Sequence, residues 1–373
     1  MRIVFAVLLI IHALIHVMGV VKAFDLAPLD QLKLPISHTM GLLWLGAALA
    51  LSAAAVVLLC APRWFWLIGL VGLVLSQLVI VTSWSDARFG TVANLLLLAG
   101  VLYTAFAFGP FGLRAEYEQL VHTANARAAA QTLRPVITDL DLERLPAPVA
   151  RYLRVAGVVG TPRLAGFRAR MTGRIRSAAS APWMPFTAEQ HSFFDPPRRY
   201  FWMEATRGGV PIDGLHAYGE DTASMRIRVL SLIPVVSLSG AELMRTETVT
   251  VLNDMCIMAP ASLLDPAIAW RSIDAQSVEA TYKNGPHTVH AVLVFDEPSG
   301  VLVNFWSDDR PSLAADGTTM VAQRWSTPIA EYRAMPPYRL ASRGEARYAA
   351  PDGDYAYIEF SGIDVSTTLG VEH

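Results

Sequence analysis

The run Ile3–Val21, IVFAVLLIIHALIHVMGVV, holds no charged side chain, and its reading decides the first part of the fold. Crossing the hydrocarbon layer of a bilayer takes about 20 helical residues, and three more runs of this kind follow: Ile36–Cys60, Trp64–Trp84 and Thr91–Gly109. The first run is longer than the apolar part of a cleavable signal and lacks a clean small-x-small cleavage site. It therefore reads as the first of four transmembrane helices. Trp44, Trp64, Trp66, Trp84 and Tyr103 lie mostly near the ends of these runs, where amphipathic rings favour the membrane–water interface.

Composition changes sharply after them. Residues 1–110 carry eight charged side chains, Arg2, Lys22, Asp25, Asp30, Lys33, Arg63, Asp86 and Arg88, and the remaining 263 residues carry the other 54. The second density is that of a water-soluble domain. The net charge of −2 offers no basic face to nucleic acid. Cys60 and Cys256 form neither a disulfide framework nor a zinc spacing, so no metal and no cofactor is expected. Four spans place both termini on one side. Arg2, Arg63, Arg114 and Arg127 would then be cytoplasmic, against Lys22, Lys33 and Arg88 outside, which leans toward a cytoplasmic C-terminal domain on a bacterial inner membrane.

Polar side chains inside the spans mark the membrane part's candidate interior. His12 and His16 are spaced i, i+4 and project from one helix face; His38, Gln77, Asp86 and Asn94 lie in or beside the other spans. One reading is interhelical hydrogen bonding that holds a four-helix bundle together. The alternatives are a metal or haem site, since neutral imidazole is a common ligand, and proton or quinone chemistry. Two histidines alone are too few to close a metal site.

The chain divides by these readings into a transmembrane domain at 1–110, a helical linker at 111–138 and a β-rich soluble domain at 139–373. Within the linker the alanine-rich stretch from Phe111 reads as helix until Pro135. LPAPVARYLRVAG then makes a short helix with Gly157 as its stop. From Leu164 the pattern turns toward period two, and about eleven strand segments follow, separated by turns such as KNGPH, DEPSG and APDGD. An almost unbroken meander predicts a mainly antiparallel sheet, strongly curved or closed into a half-barrel. Ala241–Leu264 interrupts it with good helix formers, Pro260 stopping the helix near its end, and is expected to lie over the sheet as a lid. The space beneath it is either packed core or pocket.

None of the sequence signatures of nucleotide binding, zinc hydrolysis or serine hydrolysis occurs, and the expectation leans away from an enzyme. His287 and His290 on a strand face opposite ways, as do Asp308 and Asp309, so neither makes a paired site. The polar positions of the helical segment, Glu247, Asn253, Asp254 and Cys256, would form one wall of a ligand site with Arg310 and Trp325 opposite. The competing structural reading has Asn253 and Asp254 capping or kinking the helix and Cys256 as a small buried hydrophobe.

Several phrases resemble, as a set, a bacterial family of uncharacterised membrane proteins with a C-terminal domain of unknown function. They are IHALIHVMG at 11–19, SWSDARFGTVAN at 83–94, LPAPVARYLR at 145–154, ETVTVLNDMCIMAPASLLD at 247–265, FWSDDR at 305–310 and RWSTP at 324–328. The resemblance implies no substrate and no catalytic residue. The strand pattern is also similar to the half-barrels of bacterial lipoprotein carriers, an analogy of fold alone. The function expected is a membrane-anchored binding protein whose curved sheet holds an apolar or lipid-like ligand, with membrane lipid and a hydrophobic small molecule as partners. The alternatives are a membrane redox or metal/haem protein using His12, His16 and His38, and a structural or interaction domain with no ligand.

Overall fold

Apolar periodicity, small residues and turn signals give this chain two compact units, Met1–Glu116 and Tyr117–His373. The computed structural model describes residues 2–29, 31–129, 134–314, 318–350 and 353–367. Asp30 and the end of the expected linker helix, 130–133, lie outside the described residues.

The first unit contains α1 (Arg2–Ala23), α2 (His38–Cys60), α3 (Phe65–Thr82), a short α4 (Trp84–Ala87) and α5 (Gly90–Ala107). Four stretches, Arg2–Ala23, His38–Cys60, Pro62–Thr82 and Gly90–Ala107, are long and apolar enough to cross a membrane; each lies within three residues of a predicted span. Small residues set the helix spacing. A Cβ on Gly19 would stand 2.1 Å from the Trp44 ring, and one on Gly41 2.4 Å from Ala23, so α1 and α2 approach as closely as only glycine allows. Ala6, Leu9 and Ala13 pack with Leu51, Ala54 and Ala55 of α2 and with Leu97 and Val101 of α5. The outward side chains, among them Ile3, Leu14, Leu49, Val74 and Leu95, are exposed and apolar, a surface that suits hydrocarbon rather than water.

In the second unit α6 (Leu113–Ala129), which starts just before the boundary, leads to α7 (Asp139–Leu142) and α8 (Ala147–Val155). The strands β1 (Gly166–Ile175), β2 (Met184–Phe194), β3 (Pro197–Arg207), β4 (Val210–Tyr218), β5 (Ala223–Val229) and β6 (Ile233–Ser239) come next, followed by α9 (Ala241–Met258). The chain then runs through β7 (Ile268–Ser272), β8 (Ser277–Asn284), β9 (His287–Phe295), β10 (Leu302–Ser307), a two-stranded pair of β11 (Ser312–Leu313) and β12 (Met320–Val321), β13 (Trp325–Ser326), β14 (Ile329–Met335), β15 (Tyr338–Ala350) and β16 (Gly353–Ser366).

Fourteen of these strands form one antiparallel sheet in the order β6-β5-β4-β3-β2-β1-β16-β15-β13-β10-β9-β8-β7, with β14 also on β15. The first six strands therefore spread outward from the centre in one direction. The last strands return from the opposite edge until β16 pairs with β1. The chain must cross from edge strand β6 to edge strand β7, and α9 is that crossing. Because β6 and β7 are not paired, the sheet curls around the helix without closing, a half-barrel. From Leu243 to Met258 nearly every side chain of α9 is buried. Val249, Leu252, Met255 and Cys256 join one continuous core with Phe167 and Ala169 of β1, Leu293 of β9, Phe305 of β10 and Leu340 of β15.

Three strands of the sheet go beyond the eleven read from sequence. β6 carries Pro234 and β7 has only five residues after Pro266, so neither shows a clean alternation. β14 follows β13 after Thr327 and Pro328 and pairs with the same strand, β15; the proline hides that continuity.

On the sheet face away from α9, Tyr117, Val121 and Ala124 of α6 are buried, and the Tyr117 hydroxyl lies 2.7 Å from His191 Nδ1 on β2. That part of α6 is a packed element of the second unit.

Candidate functional site

Helical spacing brings Glu247, Thr250 and Asp254 of α9 onto one side, at i, i+3 and i+7. Strand alternation brings Gln190 and Ser192 of β2 onto the same sheet face as Arg199 and Phe201 of β3. The two sets meet inside the half-barrel. Arg199 Nε donates to Asp254 Oδ2 at 2.6 Å, and its terminal nitrogen donates to Glu247 Oε2 at 3.2 Å. Gln190 Nε2 donates to the same Asp254 oxygen at 2.7 Å and to the Ser192 hydroxyl at 2.9 Å. His216 Nδ1 of β4 stands 3.7 Å from Glu247 Oε1, beyond hydrogen-bond reach but close enough to act electrostatically. The Gln190 carbonyl oxygen is buried with no protein partner.

A second cation closes the cluster from β10's end. Arg310 Nε donates to Thr250 Oγ1 at 3.0 Å, another guanidinium nitrogen donates to the Tyr348 hydroxyl, and the group lies 4.3 Å from the centre of the Trp325 ring. Asn253 Nδ2 donates to Thr327 Oγ1 at 2.6 Å. Glu247, Asn253, Asp254, Arg310 and Trp325 thus gather around one interior, with Arg310 touching α9 directly. Cys256 belongs to the apolar core; its backbone carbonyl accepts from the Tyr152 hydroxyl at 2.8 Å, and burial pushes its thiol far up. An inert, buried thiol of this kind is not a nucleophile.

The two carboxylates share one guanidinium, and their surroundings shift their pKa values in opposite directions. Burial alone would raise Glu247, but the His216 imidazole and the Arg199 and Arg310 guanidiniums outweigh it and bring its pKa down to about 2. Burial raises Asp254 more than Arg199 and Gln190 offset, and the negative Glu247 adds to the rise. Two carboxyls shifted in opposite directions on a common cation are a pair that can divide acid and base roles or hold a polar group. A groove of about 560 Å3 lies elsewhere, among Arg174, Pro328, Arg343, Gly344, Glu345 and Phe360 of β1, β14, β15 and β16 and their flanks.

The membrane unit has its own polar centre. His12 Nε2 of α1 is 3.0 Å from Asn94 Oδ1 of α5 and 3.1 Å from the Ser76 hydroxyl of α3. Ser76 donates to the same Asn94 oxygen at 2.9 Å, and Asn94 Nδ2 donates to Gln77 Oε1 at 2.9 Å. His16 Nδ1 donates to the His12 carbonyl at 2.9 Å, and its ring packs 5.2 Å from Trp44. His38 stays apart, exposed and stacked on Phe24 at 5.1 Å. Asp86 is a loop clamp: its carboxylate accepts from the Lys33 and Leu34 amides at 2.6 and 2.8 Å, which lower its pKa. Among the described residues no three His, Cys, Asp or Glu side chains gather where a metal ion could sit.

Residues 135–360 match the model of a family described as a family of unknown function, DUF6544. The chain belongs to that family. The match runs from Pro135 through α7, α8 and the sheet into β16, and so includes the whole Arg199–Glu247–Asp254 cluster. No curated protein matches the sequence. Among solved structures, a LolA superfamily protein from Nitrosomonas europaea is similar at 9% identity and a TM-score of 0.27, covering 58% of this chain and 91% of that one.

Sequence reasoning missed Gln190, Arg199, His216, Thr250, Thr327 and Tyr348. The available signal was Arg199 alternating with Phe201 in RRYFWME, a charge on the same strand face as a core aromatic. Such a charge must find a partner, but the partner is some 50 residues away and only the fold supplies it.

Proposed function

We propose that the second unit is a membrane-tethered binding module that takes an apolar or lipid-like ligand against its curved sheet. The observation that carries this reading is α9, a single helix laid across the concave face and tied there by the polar cluster at Arg199, Glu247, Asp254 and Arg310. A core selected for stability alone has little use for buried ion pairs, which often match or trail apolar replacements in stability. Arg199 and Arg310 are cations that a ligand's anionic headgroup would meet if α9 shifted, and the apolar side chains around them would meet its chains. The tether is the four-helix unit, which we place in a bacterial inner membrane.

A second reading has a specific observation in its favour. The burial of α9 on all sides, in one continuous core, also suits a structural or interaction domain that holds no ligand. Native mass spectrometry of the full-length chain released from detergent separates the two. A stoichiometric lipid adduct that is lost in Arg199→Ala with Arg310→Ala, while the chain stays folded, is the result expected of the binding module. A chain that flies free of lipid under conditions retaining annular lipid on other membrane proteins supports the structural reading. For the intramembrane histidines the hydrogen bonds to Asn94 and Ser76 favour helix-to-helix fastening over redox or metal chemistry.

A further inference from the structure

Large apolar side chains are exposed at eight described positions of the second unit, and four of them lie on two neighbouring hairpin ends. These are Val210 at 40%, Leu230 at 39%, Ile233 at 55% and Val235 at 51% exposure. The β3–β4 and β5–β6 ends are joined by the Leu230 amide donating to the Pro211 carbonyl at 2.9 Å, and Ile212 pairs with Val229. A patch of this kind on a soluble surface marks a contact site.

The turn that presents it is unusual. Leu230 and Ser231 have φ of +54° and +57°, and the Leu232 amide donates to the Val229 carbonyl at 3.2 Å. Two successive positive φ values favour Asn or Gly; the β3–β4 turn meets the same demand with Gly208 and Gly209. Here a leucine takes the position instead. Ser231 is buried, and the Leu230 amide is tied to the Pro211 carbonyl, which holds the turn in place with Leu230 exposed. An unfavourable backbone that exposes an apolar side chain gains nothing in water.

The occupant follows from the rest of the chain. The same polypeptide carries four helices apolar enough to cross a membrane, and α6 begins at Leu113, shortly after α5 ends at Ala107, so a short connection tethers the second unit to any bilayer those helices span. Association with a second copy through the edge strand is disfavoured, because β6 carries Pro234, which has no amide hydrogen, and a register break opposite Ile227 and Arg228. Arg207 is exposed beside Val210 on the same hairpin, where lipid phosphates would meet it. We infer that this corner, Val210, Leu230, Ile233 and Val235 with Arg207, dips into the headgroup layer of the bilayer that the chain spans. The inference holds whether or not the interior takes a ligand.

The test uses the full-length chain in vesicles of phosphatidylethanolamine and phosphatidylglycerol. Cys60→Ala removes the exposed thiol, Cys256 being buried, and Ile233→Cys carries a polarity-sensitive fluorophore, with Ile273→Cys as the reference. The expected result is blue-shifted emission at 233, quenched several-fold more by nitroxide-labelled lipid than at 273. Equal, water-like emission at the two sites overturns the inference. So does a blue shift at 233 that nitroxide lipid does not quench or that grows with protein density, since that marks contact with a second copy.

Discussion

Arg199 is the residue on which the interior turns, because one guanidinium serves two buried carboxylates. Taking away a partner from a buried ion cluster costs about 3–5 kcal/mol, whereas replacing the whole cluster with apolar groups of similar volume is often close to neutral. Arg199→Met is therefore expected to destabilise the protein by about 3–5 kcal/mol, and Arg199→Met with Glu247→Leu and Asp254→Leu to recover most of that, as measured by denaturant unfolding in detergent. The same cluster sets a pH dependence. The folded state lowers Glu247 from 4.5 to about 2, so its contribution is complete above the unfolded value and disappears as pH falls through about 2. The shift corresponds to about 3 kcal/mol. Asp254 works in the opposite sense, its raised folded pKa favouring the fold at low pH and losing that advantage as pH rises through it. Glu247→Gln should flatten the acid limb of a stability–pH profile recorded between those limits; a limb as steep as that of the wild type would remove Glu247 as its source.

Among the elements, α9 has the most constrained place. It crosses between the two edge strands, its N-terminal turn begins at Gly240 with φ of +111°, and Ala259 at its end is fully buried. Enlarging such a position in a well-packed core costs roughly 1–3 kcal/mol. Ala259→Trp is therefore expected to lower the melting temperature by that equivalent. A variant that melts like the wild type but loses its lipid adduct would instead reveal usable space beneath the helix. In the first unit the equivalent fastening is the side-chain knot of α1, α3 and α5. Asn94 accepts from or donates to three side chains, so Asn94→Leu should cost more than His12→Leu, the latter about 0.6–2 kcal/mol. Stoichiometric haem or metal that vanishes with His12→Leu would overturn the fastening role.

At the scale of the whole molecule, the basic residues flanking the spans bear on which side of the membrane the sheet occupies. With both termini inside, Arg2, Arg63, Arg114 and Arg127 would be cytoplasmic, against Lys22, Lys33 and Arg88 outside. The positive-inside rule then leans, by that one residue, toward our proposal of a cytoplasmic second unit. A reporter active only outside the cytoplasm, fused after His373, is expected to stay silent, while one fused between α1 and α2 is active. The reverse pattern would invert the protein without changing its four spans.

The division between what sequence and tertiary structure determine follows from the range of the forces. Four spans are legible from residues 1–110 because hydrocarbon excludes charge over every 20 or so consecutive residues, a local rule. The antiparallel sheet and the helix at 241–258 are legible because alternation, glycine turns and Pro260 are local as well. Strand order is not local: nothing in β6 or β7 says that they form opposite edges, or that the helix between them must therefore run through the concavity. Glu247, Asp254, Arg310 and Trp325 stand out along the chain as polar or aromatic positions, yet Arg199 and Gln190 become their partners only when β2 and β3 curl over α9. A buried charge needs a countercharge within a few ångströms, and only tertiary structure decided which side chain arrives there.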